Sequence, residues 1–386
     1  MKTMIYLDNA ATSWPKPECV YREVGEFLRR AGANPGRGGH ALAREAQAMV
    51  ESVREDLAHF FNIEDPSQFV FTGNATEALN LAIKGVLAKG GHAVLSSMEH
   101  NAVSRPLFAL EAAGAKVSVV QADQQGLVSV DDVVAAVGPD TRLIALTHAS
   151  NVTGGLMPIS EVGEFARQRG ITFLVDASQT VGERPIDLNT LPVDLLAFPG
   201  HKALLGPTGT GALYVRKGCE LEPLLHGGTG THSELLEQPS ETPYRYESGT
   251  LNTSGIAGLG AALQYISEVG LEQIASTIRE HTLTFLDGCS DISGLRILGP
   301  QSPELRVGVV SVVADFLNPD ELAYILDQVY GIAVRAGLHC APLAHKTLGT
   351  FPQGAVRFSF SHFNTAADVQ HALQALREIA EQSGGY

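Results

Sequence analysis

Between about Gln68 and Val215 the chain alternates short apolar, β-branched runs with stretches of helical period, and few folds accommodate that alternation. The runs are QFVFT, HAVLS, AKVSVV, RLIALT, ITFLV, DLLAF and GALYV. Between them lie helix patterns such as Ala75 to Lys89, Ala102 to Ala113 and Ile159 to Gln168. A parallel strand connection needs a crossover long enough for a helix, so the order predicts a mainly parallel sheet covered by helices. The expected class is α/β, with a large domain on a seven-stranded sheet.

The next segment, Gly227 to Gly255, is rich in Gly, Ser, Thr and Pro and has neither period, so it reads as a long loop region. Helix patterns at Ile256 to Glu268 and Leu271 to Leu286 then lead into LRILG, VGVVSVV, a helix at Pro319 to Val329, IAVR, AVRFSF and a final helix. In the last of these, Val369, Ala372, Leu373, Leu376, Ile379 and Ala380 share one face, and Thr365 and Asp368 are placed to cap its start. This order predicts a smaller α+β domain. The 386 residues are expected to divide into an N-terminal segment 1–20 packing with the small domain, a large domain 21–255 and a small domain 256–386.

Composition narrows the class of function. With 44% hydrophobic and 18% charged residues the chain is globular in type. Lys and Arg total 27 against 42 Asp and Glu, a net charge of −15 that repels phosphate backbones and anionic membranes. Cys19, Cys219, Cys289 and Cys340 are scattered without a CxxC pair, and His226, His232 and His345 lack paired metal-ligand spacing. No metal, nucleic acid or membrane partner is expected. The start of the chain lacks a signal-peptide pattern and no apolar run approaches a membrane span, so a cytoplasmic location is expected.

Chemistry concentrates in a few segments. Asp176 follows the buried run ITFLV, at the carboxyl end of a strand, where open α/β sheets bind ligands. Lys202 follows DLLAF, beside His201 and Gly200. Alone, the aspartate is more often a turn or cap residue and the lysine a plain surface residue; together they suit pyridoxal phosphate, which needs a Schiff-base lysine and a carboxylate at its ring nitrogen. FTGNATEALNLA adds Gly73, Asn74, Ala75 and Thr76 at a strand-to-helix junction, which reads either as a phosphate cradle or as an ordinary N-cap. Gly206, Gly209 and Gly211 lead into the strand GALYV, whereas a dinucleotide fingerprint must open a helix.

With these segments in place, the chain resembles the class V aminotransferase family of fold-type I pyridoxal-phosphate enzymes, in its cysteine desulfurase branch. The likeness runs almost end to end through YLDNAATS, FTGNATEALNL, SSMEHNAVSRPL, THASNVTG, VDASQT, GHK with GPTGTGALYV, ESGTLNT, VRAGLHCAP and RFSFSHFNT. RAGLHCAP resembles the group II desulfurases and selenocysteine lyase-like enzymes. The resemblance implies the fold-type I transferase fold, pyridoxal 5'-phosphate as cofactor in the large domain, a small domain carrying the catalytic cysteine loop, and a homodimer.

It also implies roles. Lys202 would hold the cofactor and shuttle the substrate Cα proton, Asp176 would pair with the ring nitrogen, Gln179 would bond the phenolic oxygen, and His100 would stack on the ring. Thr76, the backbone at Ala75 and His201 would bind the phosphate, with Thr250 reaching it from the partner subunit. Arg357 would pair with the substrate α-carboxylate, a fork geometry that Lys lacks; Asn151, otherwise a turn residue, would contact the same group. Arg335 would either orient substrate and stabilise a thiolate or form a structural salt bridge. Cys340, read alone as a small apolar residue or surface thiol, would be the nucleophile that takes sulfur as a persulfide and passes it to an acceptor, with His339, His100 or Arg335 raising its thiolate fraction.

The implied reaction is conversion of L-cysteine to L-alanine. The alternatives are a selenocysteine lyase, another class V activity such as an epimerase, transaminase or C–S lyase, and a non-catalytic binding protein with this fold. Two positions depart from the family pattern: Pro199 stands where Ser is frequent, removing a phosphate donor, and Asn101 stands where many group II members have a second His.

Overall fold

The computed structural model describes residues 4–36, 39–231 and 233–383. His232 lies outside them. The central sheet has seven strands in the spatial order Phe69–Thr72, Gly211–Val215, Leu195–Pro199, Thr172–Asp176, Thr141–Thr147, His92–Ser96 and Lys116–Val120. Gly211–Val215 runs antiparallel to both of its neighbours, and the remaining pairings are parallel. The α/β class with a mainly parallel seven-stranded sheet is borne out.

Strand residues alternate between two apolar cores, as the period of two requires. Phe69, Phe71, Val94, Ile144, Phe173, Val175, Leu196 and Phe198 join one; Val70, Leu95, Leu143, Leu174, Leu195 and Ala197 join the other. Burial on both faces explains why these strands read as continuous apolar runs rather than as alternating ones. Two helices ahead of the sheet, Glu18–Ala31 and Ala41–Phe60, pack with Thr253–Val269.

Between the strand that ends at Val215 and the helix that begins at Thr253 the described residues form neither helix nor strand, so the loop reading of 227–255 overruns only into the first turn of that helix. A four-stranded antiparallel sheet follows, in the order Arg335–Gly337, Ala355–Ser359, Val309–Ala314 and Leu295–Leu298, backed by Leu271–Ser290 and the terminal helix Ala366–Ser383. That last helix opens as expected, with Thr365 N donating to Asp368 Oδ2 at 2.8 Å and Asp368 N to Thr365 Oγ1 at 3.2 Å. The segment read as one strand, IAVR, divides: Ile332–Ala333 pairs with Ile5–Tyr6 at the N-terminus, and Arg335–Gly337 joins the four-stranded sheet. Among the described residues no helix is long and apolar enough to cross a membrane.

Candidate active site

The carboxyl ends of the parallel strands bring the candidate residues to one edge of the sheet. Asp176 ends Thr172–Asp176 and Pro199 ends Leu195–Pro199, so that His201 and Lys202 follow in the turn. The antiparallel strand begins there at Gly211. A Cβ on Gly211 would come within 2.8 Å of the Asn74 carbonyl carbon, so only glycine lets the strand approach the start of helix Ala75–Val86 this closely. Asn74 caps that helix by accepting from Glu77 N at 3.0 Å, which leaves the amides of its first turn, Ala75 and Thr76, as anion-binding donors.

A cavity of about 200 Å³ opens at this edge. Ala75, Thr76, His100, Asn151, Asp176, Gln179, His201, Lys202, Arg335 and Arg357 all line it, together with Pro199 and His339. Thr250 is exposed and lies outside the lining. Cys340 is also exposed, and its Sγ accepts from Arg335 Nη2 at 3.5 Å, so the thiol sits beside a residue of the cavity wall.

Electrostatics favour neutral groups here. Burial lowers the Lys202 ammonium to about 8, and the Arg357 and Arg335 cations add to the effect while Asp176 opposes it. Burial likewise brings His100 to about 4, with Lys202, Arg335 and Arg357 disfavouring its charged form. His100 Nδ1 accepts from Ala102 N at 3.0 Å, and a backbone N–H can only donate, so the ring proton resides on Nε2. His201 is lowered to about 4 by burial and then by Lys202 and Lys16.

Arg357 is buried and already held on two sides, by Asp8 Oδ1 at 2.8 Å and the Asn151 carbonyl at 3.2 Å. The Asn151 amide donates to the His339 carbonyl at 2.7 Å. Gln179 Nε2 donates to the Ala10 carbonyl at 3.2 Å, and Asp176 Oδ1 accepts from Ser178 N at 3.0 Å. Two buried nitrogens of cavity residues, His201 Nδ1 and Arg357 Nε, have no protein partner. Buried donors and acceptors are rarely left unpaired, so these two atoms fit a polyanionic ligand. With Asp176 and Lys202 they compose a donor set that suits a phosphorylated, carbonyl-bearing cofactor with a basic ring nitrogen.

The residue reading missed one component, the segment around Asp8. Ala10 and Ala11 line the cavity, Asp8 pairs with Arg357, and Thr12 and Ser13 hold the backbone of His201 and Lys202 through bonds of 2.9–3.3 Å. The motif YLDNAATS was the available signal, but nothing local ties it to Arg357. Of the histidines lacking metal spacing, His226 stands on the exposed loop and His345 is buried against His339.

Comparison with known proteins agrees with this geometry. A family model described as Aminotransferase class-V matches residues 5–372. A probable cysteine desulfurase of Methanothermobacter thermautotrophicus is 36% identical, covering 98% of this chain and 96% of its own. A cysteine desulfurase of Klebsiella pneumoniae is 35% identical, covering 99% and 94%. Among solved structures, the apo cysteine desulfurase of Thermococcus onnurineus superposes with a TM-score of 0.92 at 33% identity over 98% of this chain and 95% of its own. A cysteine desulfurase from Escherichia coli superposes with a TM-score of 0.88 at 30% identity, covering 98% and 95%. By sequence along nearly its whole length and by fold, this chain belongs to the class V aminotransferase family.

Proposed function

We propose that this protein is a pyridoxal-phosphate-dependent L-cysteine desulfurase, a sulfurtransferase that releases L-alanine and carries the sulfur as a persulfide on Cys340. The observation that carries the reading is the convergence of Lys202, Asp176, Gln179, His100 and Arg357 on one cavity, with the Cys340 thiol against its wall. The names of its relatives support the same activity. Asp176 would pair with the cofactor ring nitrogen, Gln179 with its phenolic oxygen, and Ala75, Thr76 and His201 with its phosphate, while His100 would lie against the ring. Pyridoxal phosphate, when bound, supplies a lysine-reactive carbonyl and an electron sink conjugated to the substrate Cα.

The chain's own groups do the rest. Lys202, held near 8, has a substantial neutral fraction at physiological pH and serves as the amine that holds the cofactor and then the base that carries the Cα proton. Arg357 offers its remaining edge to the substrate carboxylate, with Asn151 beside it. The Cys340 thiolate attacks the substrate Sγ: the new S–S bond forms as the Cβ–Sγ bond breaks, its electron pair passes to the carbon skeleton, and protonation there completes alanine. Arg335 supplies a cation beside the attacking sulfur. The outer sulfur of the persulfide then passes to an acceptor protein or a reductant.

The organisation we assign is an N-terminal segment 1–20, a large cofactor domain 21–255 and a small domain 256–386 bearing Cys340. Four free cysteines, with no disulfide among the described residues, support a reducing, cytoplasmic setting. A homodimer is supported by exposed Leu28 and Leu42 on the first two helices and Leu235 and Leu236 on the long loop. Thr250 would act across that interface.

The direct test measures alanine and sulfide formed from L-cysteine and a thiol reductant, wild type beside Cys340→Ala. Wild type is expected to make both, and the variant to retain the cofactor's absorbance while losing turnover. Cofactor binding without alanine formation would overturn the reading and turn attention to selenocysteine; undiminished turnover by the variant would point to a lyase that does not use Cys340.

A further inference from the structure

The turn that carries the thiol is held in a conformation its residues do not favour. His339 and Cys340 have φ of +50° and +57°, consecutive left-handed residues with side chains. Each costs on the order of 1 kcal/mol or more, so the surroundings must enforce the turn. Both backbone carbonyls are anchored: that of His339 accepts from Asn151 Nδ2 at 2.7 Å, and that of Cys340 from Asn101 N at 2.7 Å. The third anchor is the His339 side chain, and it leads to a residue without contact with the cavity.

His339 Nε2 is 3.0 Å from the Arg335 carbonyl, an acceptor, so that nitrogen carries the ring proton. In the neutral ring Nδ1 must then accept, and its partner at 3.2 Å is His345 Nε2, which therefore donates. His345 Nδ1 is left to accept from the Thr350 hydroxyl at 2.7 Å. One directed chain results, from Thr350 through His345 and His339 to the backbone of Arg335. It requires both imidazoles to be neutral, and burial holds His345 at about 4 and His339 at about 3. The chain closes a ring around residues 335–340, the loop in which the Arg335 guanidinium meets Cys340 Sγ at 3.5 Å.

We infer that His345 is a positioning residue for the Cys340 thiol, acting through the His339 ring and oriented in turn by Thr350. The inference rests on the proposed role of Cys340 as the sulfur-accepting nucleophile. His345→Phe keeps a planar ring and removes both nitrogens, whereas His345→Gln can still present an N–H near the position of Nε2. Thr350→Val removes only the donor that selects the His345 tautomer.

The experiment uses the cofactor-loaded protein and follows two quantities: the rate at which iodoacetamide alkylates Cys340 near neutral pH, read by mass spectrometry, and kcat and KM for alanine formation. For His345→Phe a misplaced thiol predicts a loss of kcat of about tenfold to a hundredfold with KM nearly kept, and a changed alkylation rate. His345→Gln is expected to recover most of both, and Thr350→Val to shift both in the Phe direction by less. If His345→Phe does not fold, the Gln and Val variants decide. Equal behaviour of Phe and Gln, or alkylation unchanged in Phe and Val alike, overturns the inference. If wild type forms no alanine, the desulfurase reading fails by itself, and the alkylation series still tests whether His345 places the thiol.

Discussion

Glu99 shows how a single carboxyl can be held against its ordinary chemistry beside a functional site. It is fully buried between Met98 and His100; one oxygen accepts from Ser96 Oγ at 2.6 Å and Thr147 N at 2.9 Å, and the other has no partner. Burial raises its pKa to about 8, with the nearby Asp176 charge adding to the rise and the hydrogen bonds opposing it. An acid whose folded pKa lies above its unfolded value keeps its proton while the unfolded chain loses one, so stability falls as pH rises from about 4.5 to about 8 and is level above that. Glu99→Gln reproduces the neutral form without that slope. Urea unfolding at about pH 5 and about pH 9 is expected to find the variant close to wild type at the lower pH and more stable by roughly 4 kcal/mol at the higher. An equal slope in both proteins would show that Glu99 ionises in the fold.

At the scale of elements, one buried ion pair joins three parts of the chain that local pattern keeps separate. Arg54, inside helix Ala41–Phe60, meets Glu247 of the long loop at 2.7 and 3.0 Å, and also donates to the Phe69 carbonyl; Glu247 accepts from Phe71 N at 2.7 Å. Both side chains are almost wholly buried, and Glu51 also reaches Arg54 Nε at 3.3 Å, so removal of Arg54 leaves the Glu247 carboxyl buried without its cation. Arg54→Met is expected to lower stability by about 3–5 kcal/mol, and the double variant Arg54→Met with Glu247→Gln by clearly less, measured by urea unfolding. The same contrast explains what could be read in advance. All seven strands of the large sheet were legible: burial on both faces writes the inner ones as apolar runs with turn residues around them, and the half-exposed edge strand Lys116–Val120 was found by its β-branched residues. The division of IAVR was not, because its first half pairs with Ile5–Tyr6 at the far end of the chain. The helix Pro319–Val329 was legible in extent, but its last turn widens, with α-helix ending at Ile325 and a π turn over Leu326–Tyr330.

The site divides along the same line. Ten of the twelve candidate residues meet in one cavity, because most sit at strand ends or in their following turns, where fold class alone places ligand chemistry. The pairing of Asp8 with Arg357 and the His345–Thr350 chain were not legible, since each acts through contacts that no periodicity encodes.

In the whole molecule, Thr250, left out of the cavity and without a contact to its wall such as Cys340 makes, sets the remaining question. Thr250 lies on the long loop, exposed and away from the lining residues of its own chain. Leu235 and Leu236 on that loop, and Leu28 and Leu42 on the first two helices, are large apolar side chains left in solvent. A two-fold dimer that covered them could carry Thr250 to the neighbour's phosphate, and an isologous interface would do so twice. Subunit mixing separates this from a Thr250 that serves nothing. On the proposed roles, Lys202→Ala would remove the cofactor linkage of its own site, and Thr250→Ala would weaken the phosphate end of its partner's. When the two variants are unfolded and refolded together, half of the dimers are hybrids, and each hybrid holds one site with both residues intact. Activity at limiting cofactor is then expected to reach about a quarter of the wild-type value, well above either variant refolded alone. If mixing adds nothing beyond the average of the two, Thr250 acts within its own chain or not at all, and the exposed leucines require another explanation.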